Sequence, residues 1–285
     1  MEIGIGLPNA VAGTDGRALV DWARRAEEAG FSSLGTIDRI VYPNYESLTA
    51  LAAAAAVTER IRLLTSVLLA PLRATPWLAK QAVSVDNISG GRLVLGMAVG
   101  GRPDDYGEAG VPFGSRGAIF DSQLDELKRL FAGEERGDGV PVVPRGGRDG
   151  GPEIVIGGSV DKAFERAARY GSGWMMGGGG PDAFGQSVGK VDEAWEAAGR
   201  DGRPRKMALH YYALGENAEA DARRGLGHYY AWLGDIADMI VQGAAKTPDD
   251  VKAVVSAFEG HGCDELVLFP ASGDPAQIEL LREAL

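Results

Sequence analysis

Eight times along this chain a short run of apolar, mostly branched residues gives way to a longer amphipathic stretch, and this alternation limits the fold more than anything else in the sequence. The apolar runs, read as strands, cover residues 3–7, 31–37, 60–69, 92–99, 153–156, 174–176, 206–214 and 265–269. The stretches that follow them, read as helices, cover 16–29, 46–58, 76–88, 116–131, 160–170, 181–198, 218–240 with 248–261, and 275–284. A strand reached through a helix lies parallel to the strand before it, because a hairpin cannot make that connection. The strands show little in–out alternation, as expected when both faces of the sheet are covered. Eight such units in 285 residues predict a single α/β domain over residues 1–285, a closed (β/α)8 TIM barrel. An open doubly wound sheet would place a glycine-rich phosphate turn after the first strand, where Pro8-Asn9-Ala10-Val11 stands instead. Residues 133–151, rich in Gly, Arg, Pro and Asp, are too few for a linker between domains and predict an irregular surface loop.

A formal charge of -11 argues against nucleic-acid binding and against adhesion to anionic membranes, since both need a concentrated basic face. Cys263 is the only cysteine, so no internal disulfide can form. Residues 1–8 lack the basic start and apolar core of a signal peptide, and the apolar run 48–57 is too short to span a bilayer. These features predict a cytoplasmic protein. Three scattered histidines without a His-Glu-x-x-His pair argue against a zinc site, and no Gly-x-Ser-x-Gly elbow supports a hydrolase. His210 reads as a packed wall residue, and Cys263 as a buried, inert thiol.

Chemistry on a barrel gathers where the strands end. Strand two ends in Asp38-Arg39, strand four in Gly100-Gly101-Arg102, strand five in Gly157-Gly158-Ser159 and strand six in Gly177-Gly178-Gly179-Gly180. Glycine at three strand ends lets backbone approach a flat or phosphorylated ligand. Gly157-Gly158-Ser159 also opens a helix, whose free N–H groups suit a phosphate, and Ser159 could equally cap that helix.

At these residues the chain resembles the luciferase-like family of flavin and deazaflavin oxidoreductases, which includes bacterial luciferase, FMN monooxygenases and enzymes using coenzyme F420. The likeness rests on Thr65-Ser66-Val67-Leu68 with Pro71 beyond it, on residues 86–96 (DNISGGRLVLG), and on residues 152–159 (PEIVIGGS) with Ala163, Arg166, Ala167, Ala168, Gly171 and Trp174 following. It implies FMN or F420 bound across the strand ends beside a bulge in strand three, often with a non-proline cis peptide, here at Ser66-Val67. It further implies a cofactor phosphate near Gly157, Gly158 and Ser159 with Gly177, Gly178 and Gly179 adjacent, a small-molecule substrate, a separate flavin or F420 reductase as partner, and a homo-oligomer. Gly100, Gly101 and Tyr106 join the cofactor candidates; Arg102 and Tyr106 could close over it, or Tyr106 could pack under Val111 and Phe113. Asp38 and Arg39 are the catalytic candidates. Asp38 could orient a ligand, pair with Arg39 or cap the next turn; Arg39 could meet an anionic substrate or serve structure. The chain departs from several deazaflavin members, which carry Asp-His where Asp38-Arg39 stands, and it lacks the asparagine segment of sugar-phosphate oxidisers after strand four. Both departures favour FMN monooxygenase-like chemistry over F420-dependent hydride transfer, with a ligand-binding barrel without turnover as the other class.

Overall fold

The computed structural model describes residues 1–144 and 148–285. Its barrel strands are β1 (Glu2–Gly6), β2 (Ser33–Thr36), β3 (Arg62–Thr65), β4 (Leu93–Ala98), β5 (Glu153–Gly157), β6 (Gly173–Met176), β7 (Arg205–Tyr212) and β8 (Glu265–Pro270). Each pairs in parallel with its sequence neighbours, and β8 pairs with β1 (Ile5 opposite Leu268), so the sheet closes into the expected (β/α)8 barrel. The helices are α1 (Gly16–Glu28), α2 (Ser47–Ala55), α3 (Thr75–Ile88), a short α4 (Pro103–Glu108), α5 (Arg116–Phe131), α6 (Asp161–Tyr170), α7 (Pro181–Ala197), α8 (Ala218–Tyr229), α9 (Asp235–Gly243), α10 (Pro248–Gly260) and α11 (Ala276–Ala284). Among the described residues no helix is long and apolar enough to cross a membrane.

Local chemistry sets the boundaries. Asp15 caps α1 by accepting the Arg17 and Ala18 amides, and Leu19, Trp22, Ala23 and Ala26 form its buried stripe at helical spacing. Thr247 and Asp250 form a reciprocal capping box that starts α10. Inside the barrel, Leu64, Val94, Val155, Met175, Met207, Leu209, Val267 and Phe269 interlock as one cluster, while the larger core lies between strands and helices. Phe269 fills the space above β1 because Gly6 has no side chain; a Cβ there would stand 2.2 Å from its ring. The N-terminal end is sealed by Glu265, 1% exposed, which accepts from Ser33 Oγ at 2.7 Å, Arg205 Nη2 at 2.7 Å and Arg62 Nη2 at 3.3 Å.

The Ser66–Val67 peptide is cis, as the resemblance implies; it interrupts the strand read over residues 60–69, and only Leu68–Leu69 resumes pairing, with Met97 and Ala98. Two other segments depart from the sequence reading. The stretch 218–240 is not one helix. It breaks after Tyr229 into the 3-10 turn Ala231–Leu233, and Gly234 at φ 58° reverses the chain into α9. Residues 133–151 carry a small antiparallel hairpin, Glu135–Arg136 with Val140–Pro141; residues 145–147 of that expected loop lie outside the described residues.

Candidate active site at the barrel mouth

The C-terminal ends of the strands surround a cavity of about 170 Å³. Its floor is Val67, Leu69 and Leu209; Gly100, Gly101 and Gly177 contribute backbone edges; and Ile37, Asp38, Arg39, Ser66, Arg102 and Asp105 complete one side. The opposite side is aromatic, with Tyr211 from β7, Tyr229 and Tyr230 at the end of α8, and Trp232 from the following turn. The α8–α9 segment therefore roofs the mouth.

The wall after β2 is held by three side chains. Asn9, fully buried, clamps Ile37 by donating from Nδ2 to its carbonyl at 2.7 Å and accepting its amide at 3.1 Å. Asp38, 5% exposed, accepts the Leu69 amide at 2.8 Å and a two-pronged Arg73 guanidinium at 2.7 and 2.9 Å. Burial pushes the Arg73 pKa down, but Asp38 and Glu46 outweigh it and hold the group above its ordinary value. Arg39 turns the other way, donating from Nε to Asp105 at 2.7 Å. Asp105, fully buried, also accepts the Ile40 and Val41 amides at 3.0 and 2.7 Å. Asp38 does not pair with Arg39, and both catalytic candidates are committed to structural ion pairs. Their partners, Arg73 and Asp105, were not among the candidates read from sequence.

After β4 the chain turns at Gly100, whose φ of 70° is open to glycine at little cost. Arg102 forks onto Asp104, holds that carboxyl down to about 2 by hydrogen bonding, and lies 4.6 Å from the centre of the Trp232 ring. Tyr106 does not close over the mouth. It is 1% exposed, donates its hydroxyl to the Val99 carbonyl and meets Phe113 edge-on, so its role here is to support the turn from below. Val67 connects the cavity to the end of β5, since a Cβ on Gly157 would sit 2.9 Å from its side chain. Beyond Gly157, the amides of Ser159, Val160, Asp161 and Lys162 open α6 with no acceptor among the described residues, and Ser159, exposed, makes no cap. Gly158, Ser159, Gly178 and Gly179 lie outside the cavity lining.

None of the three histidines lines the cavity. His210 faces Phe258 in the helix layer, and burial lowers its pKa. His228 sits exposed on the rim, bonded through Nδ1 to the Tyr42 hydroxyl at 2.8 Å, and His261 ends α10. Cys263 is buried against the Glu265 carbonyl, and burial pushes its thiol up to about 12.

The closed parallel barrel thus carries an apolar-floored cavity with glycine edges at its C-terminal mouth, the end where barrels of this kind build their sites. The family model for luciferase-like monooxygenases matches residues 1–283, and the chain belongs to that family. A Mycobacterium tuberculosis protein described as uncharacterized is 34% identical over 220 residues, 67% of this chain and 76% of that protein. The solved structure of monooxygenase RslO1 from Streptomyces bottropensis superposes with a TM-score of 0.82 at 26% identity, covering 100% of this chain and 98% of that one. An F420-dependent secondary alcohol dehydrogenase, solved with an F420–acetone adduct, superposes at 0.81 with 16% identity, again covering 100% and 98%; that likeness shows the fold.

Proposed function

We propose that this protein is an FMN-dependent monooxygenase acting on a small organic substrate held in the barrel mouth. The observation that carries the reading is the continuity of the mouth, through Val67, with an uncapped helix start. One surface thus offers an apolar floor for a flat ring and, beyond it, four amides without partners among the described residues. The residues present fit such a group: Ser66 Oγ is buried at the cavity without a partner, and a Cβ on Gly101, Gly177 or Gly178 would meet nothing within 4 Å. Gly157, Gly158 and Ser159 with the first amides of α6 hold the phosphate, with Gly179 in the neighbouring loop. Asp38 and Arg39 fix the walls. Val67, Leu69 and Leu209 exclude water from the reacting face. Bound and reduced, FMN would supply the electrons that activate oxygen, and a separate reductase is its source. The likeness at 26% identity is to a monooxygenase, which supports oxygenation over hydride transfer, and the Asp38-Arg39 pair in place of Asp-His agrees with FMN.

The test is titration of the purified protein with FMN and with F420, oxidised and reduced, by fluorescence and calorimetry. FMN is expected to bind at least micromolar, and Ser159→Asp to weaken it at least about tenfold with an unchanged apo Tm, because a second negative charge then faces the phosphate. F420 binding without FMN binding would move the assignment to hydride transfer. Binding of neither would remove the cofactor reading.

A further inference from the structure

We propose that the Tyr211–Tyr230 hydroxyl pair is a hydrogen-bond donor on the aromatic wall of the mouth, and that its ligand is a neutral carbonyl compound. This rests on the reading of the mouth as a substrate site. The two hydroxyls stand 2.6 Å apart, and both residues line the cavity. A pair so joined spends one of its two protons internally and keeps the other. Neither oxygen has another hydrogen-bond partner among the described residues, so the second proton is available to an acceptor in the cavity.

The charges of the mouth are matched, although Ser66 Oγ and Arg39 Nη1 are buried there without a hydrogen-bond partner among the described residues. Asp38 is engaged by Arg73, Asp105 by Arg39, and Arg102 by Asp104. No histidine lines the cavity. Burial holds the Tyr211 and Tyr230 phenols above their ordinary range, which keeps them protonated and donating. With each cation at the cavity matched by a carboxylate, a carboxylate or phosphate ligand finds no unspent positive charge and pays its desolvation unrewarded. A carbonyl oxygen needs only one donor. Tyr229 stands edge-on to Tyr230 at 4.8 Å, and Tyr230 to Tyr211 at 5.8 Å, so the three rings brace one another and hold the hydroxyl pair in place beside an uncharged aromatic wall.

The probe is 4-(dimethylamino)cinnamaldehyde, a neutral planar aldehyde whose absorption moves to the red when its oxygen accepts a hydrogen bond. It is titrated into wild type, Tyr211→Phe, Tyr230→Phe and the double variant, with FMN affinity measured on each preparation. The expected result is a red-shifted complex in wild type, a shift that shrinks in either single variant and is absent from the double. Affinity should fall about threefold to tenfold on loss of the one neutral hydrogen bond. The carboxylate analogue 4-(dimethylamino)cinnamate should bind at least about tenfold more weakly than the aldehyde. An unshifted wild-type complex, a red shift that survives in the double variant, tighter binding of the carboxylate, or displacement of the aldehyde by FMN would each overturn the proposal. Because the phenylalanine variants keep the rings and FMN is titrated separately, failure of the cofactor reading shows as lost FMN binding with the aldehyde shift intact.

Discussion

Replacing Asp38 by asparagine separates a catalytic carboxylate from one that holds the wall. The substitution keeps the shape and leaves an oxygen to accept the Leu69 amide, but removes the charge that faces Arg73 across two bonds of 2.7 and 2.9 Å. Breaking a buried pair from one side costs about 3–5 kcal/mol. Arg73 retains Glu46 at 3.1 Å, and its side chain is 17% exposed, so water and the second carboxylate offset part of that. We expect about 2–3 kcal/mol, and at about 2–4 °C per kcal/mol for a domain of this size the Tm falls by about 4–12 °C. Arg73→Gln should cost a similar amount, and the double variant less than the sum, with a coupling of about 1–3 kcal/mol. Thermal and urea unfolding of the four proteins supplies the cycle. FMN affinity, measured below the lowest Tm, should stay within about threefold of wild type. If Asp38→Asn melts with wild type and instead loses ligand binding or turnover tenfold or more, the carboxylate works on the ligand and the structural assignment is wrong.

Glu27 gives a pH-dependent test: burial raises its pKa, but the amides of Ile61, Arg60 and Glu59 outweigh that and leave it lowered from 4.5. A lowered folded pKa contributes stability that is present above 4.5 and fades as pH falls through the folded value, so the Tm gap between wild type and Glu27→Gln should be full at pH 7 and close on acidification below 4.5; a gap that widens in acid would contradict this. Tyr106→Phe should lower stability by about 1 kcal/mol through loss of the bond to the Val99 carbonyl and leave FMN affinity unchanged, which paired unfolding and titration curves would show; a tenfold loss of affinity would return Tyr106 to the cofactor site.

The barrel was legible because its information is local and periodic. Each strand is an apolar run short enough to cross a sheet, and each helix repeats its stripe at the spacing seen in Leu19, Trp22, Ala23 and Ala26 of α1. The break in strand three came from the resemblance at Thr65-Ser66-Val67-Leu68, since nothing in that run of small and apolar residues marks a cis bond physically. The roof is hidden from the sequence for the opposite reason. Residues 218–240 contain no proline, so a helical pattern continues on paper, yet the chain turns at Gly234. Tyr229, Tyr230 and Trp232 in succession before that glycine put aromatic side chains on several faces at once, a pattern no single helix stripe can bury.

Function at the mouth depends on which charges are already spent, and that is a tertiary property. Asp38 and Arg39 are adjacent in sequence and look like each other's partners, but consecutive side chains near a strand end point to opposite sides. Each therefore reaches a partner from a different element, Arg73 from 35 residues on and Asp105 from 66 residues on. Arg73 follows Pro71 in the turn before α3, and Asp105 lies in a six-residue helix that the apolar pattern does not reveal. Tyr211 was within reach of sequence reasoning. On β7 the barrel interior takes Met207 and Leu209, and the same two-residue period puts Tyr211 at the mouth and turns His210 outward. Following that period, rather than the reputation of histidine, leads from the sequence to the hydroxyl pair.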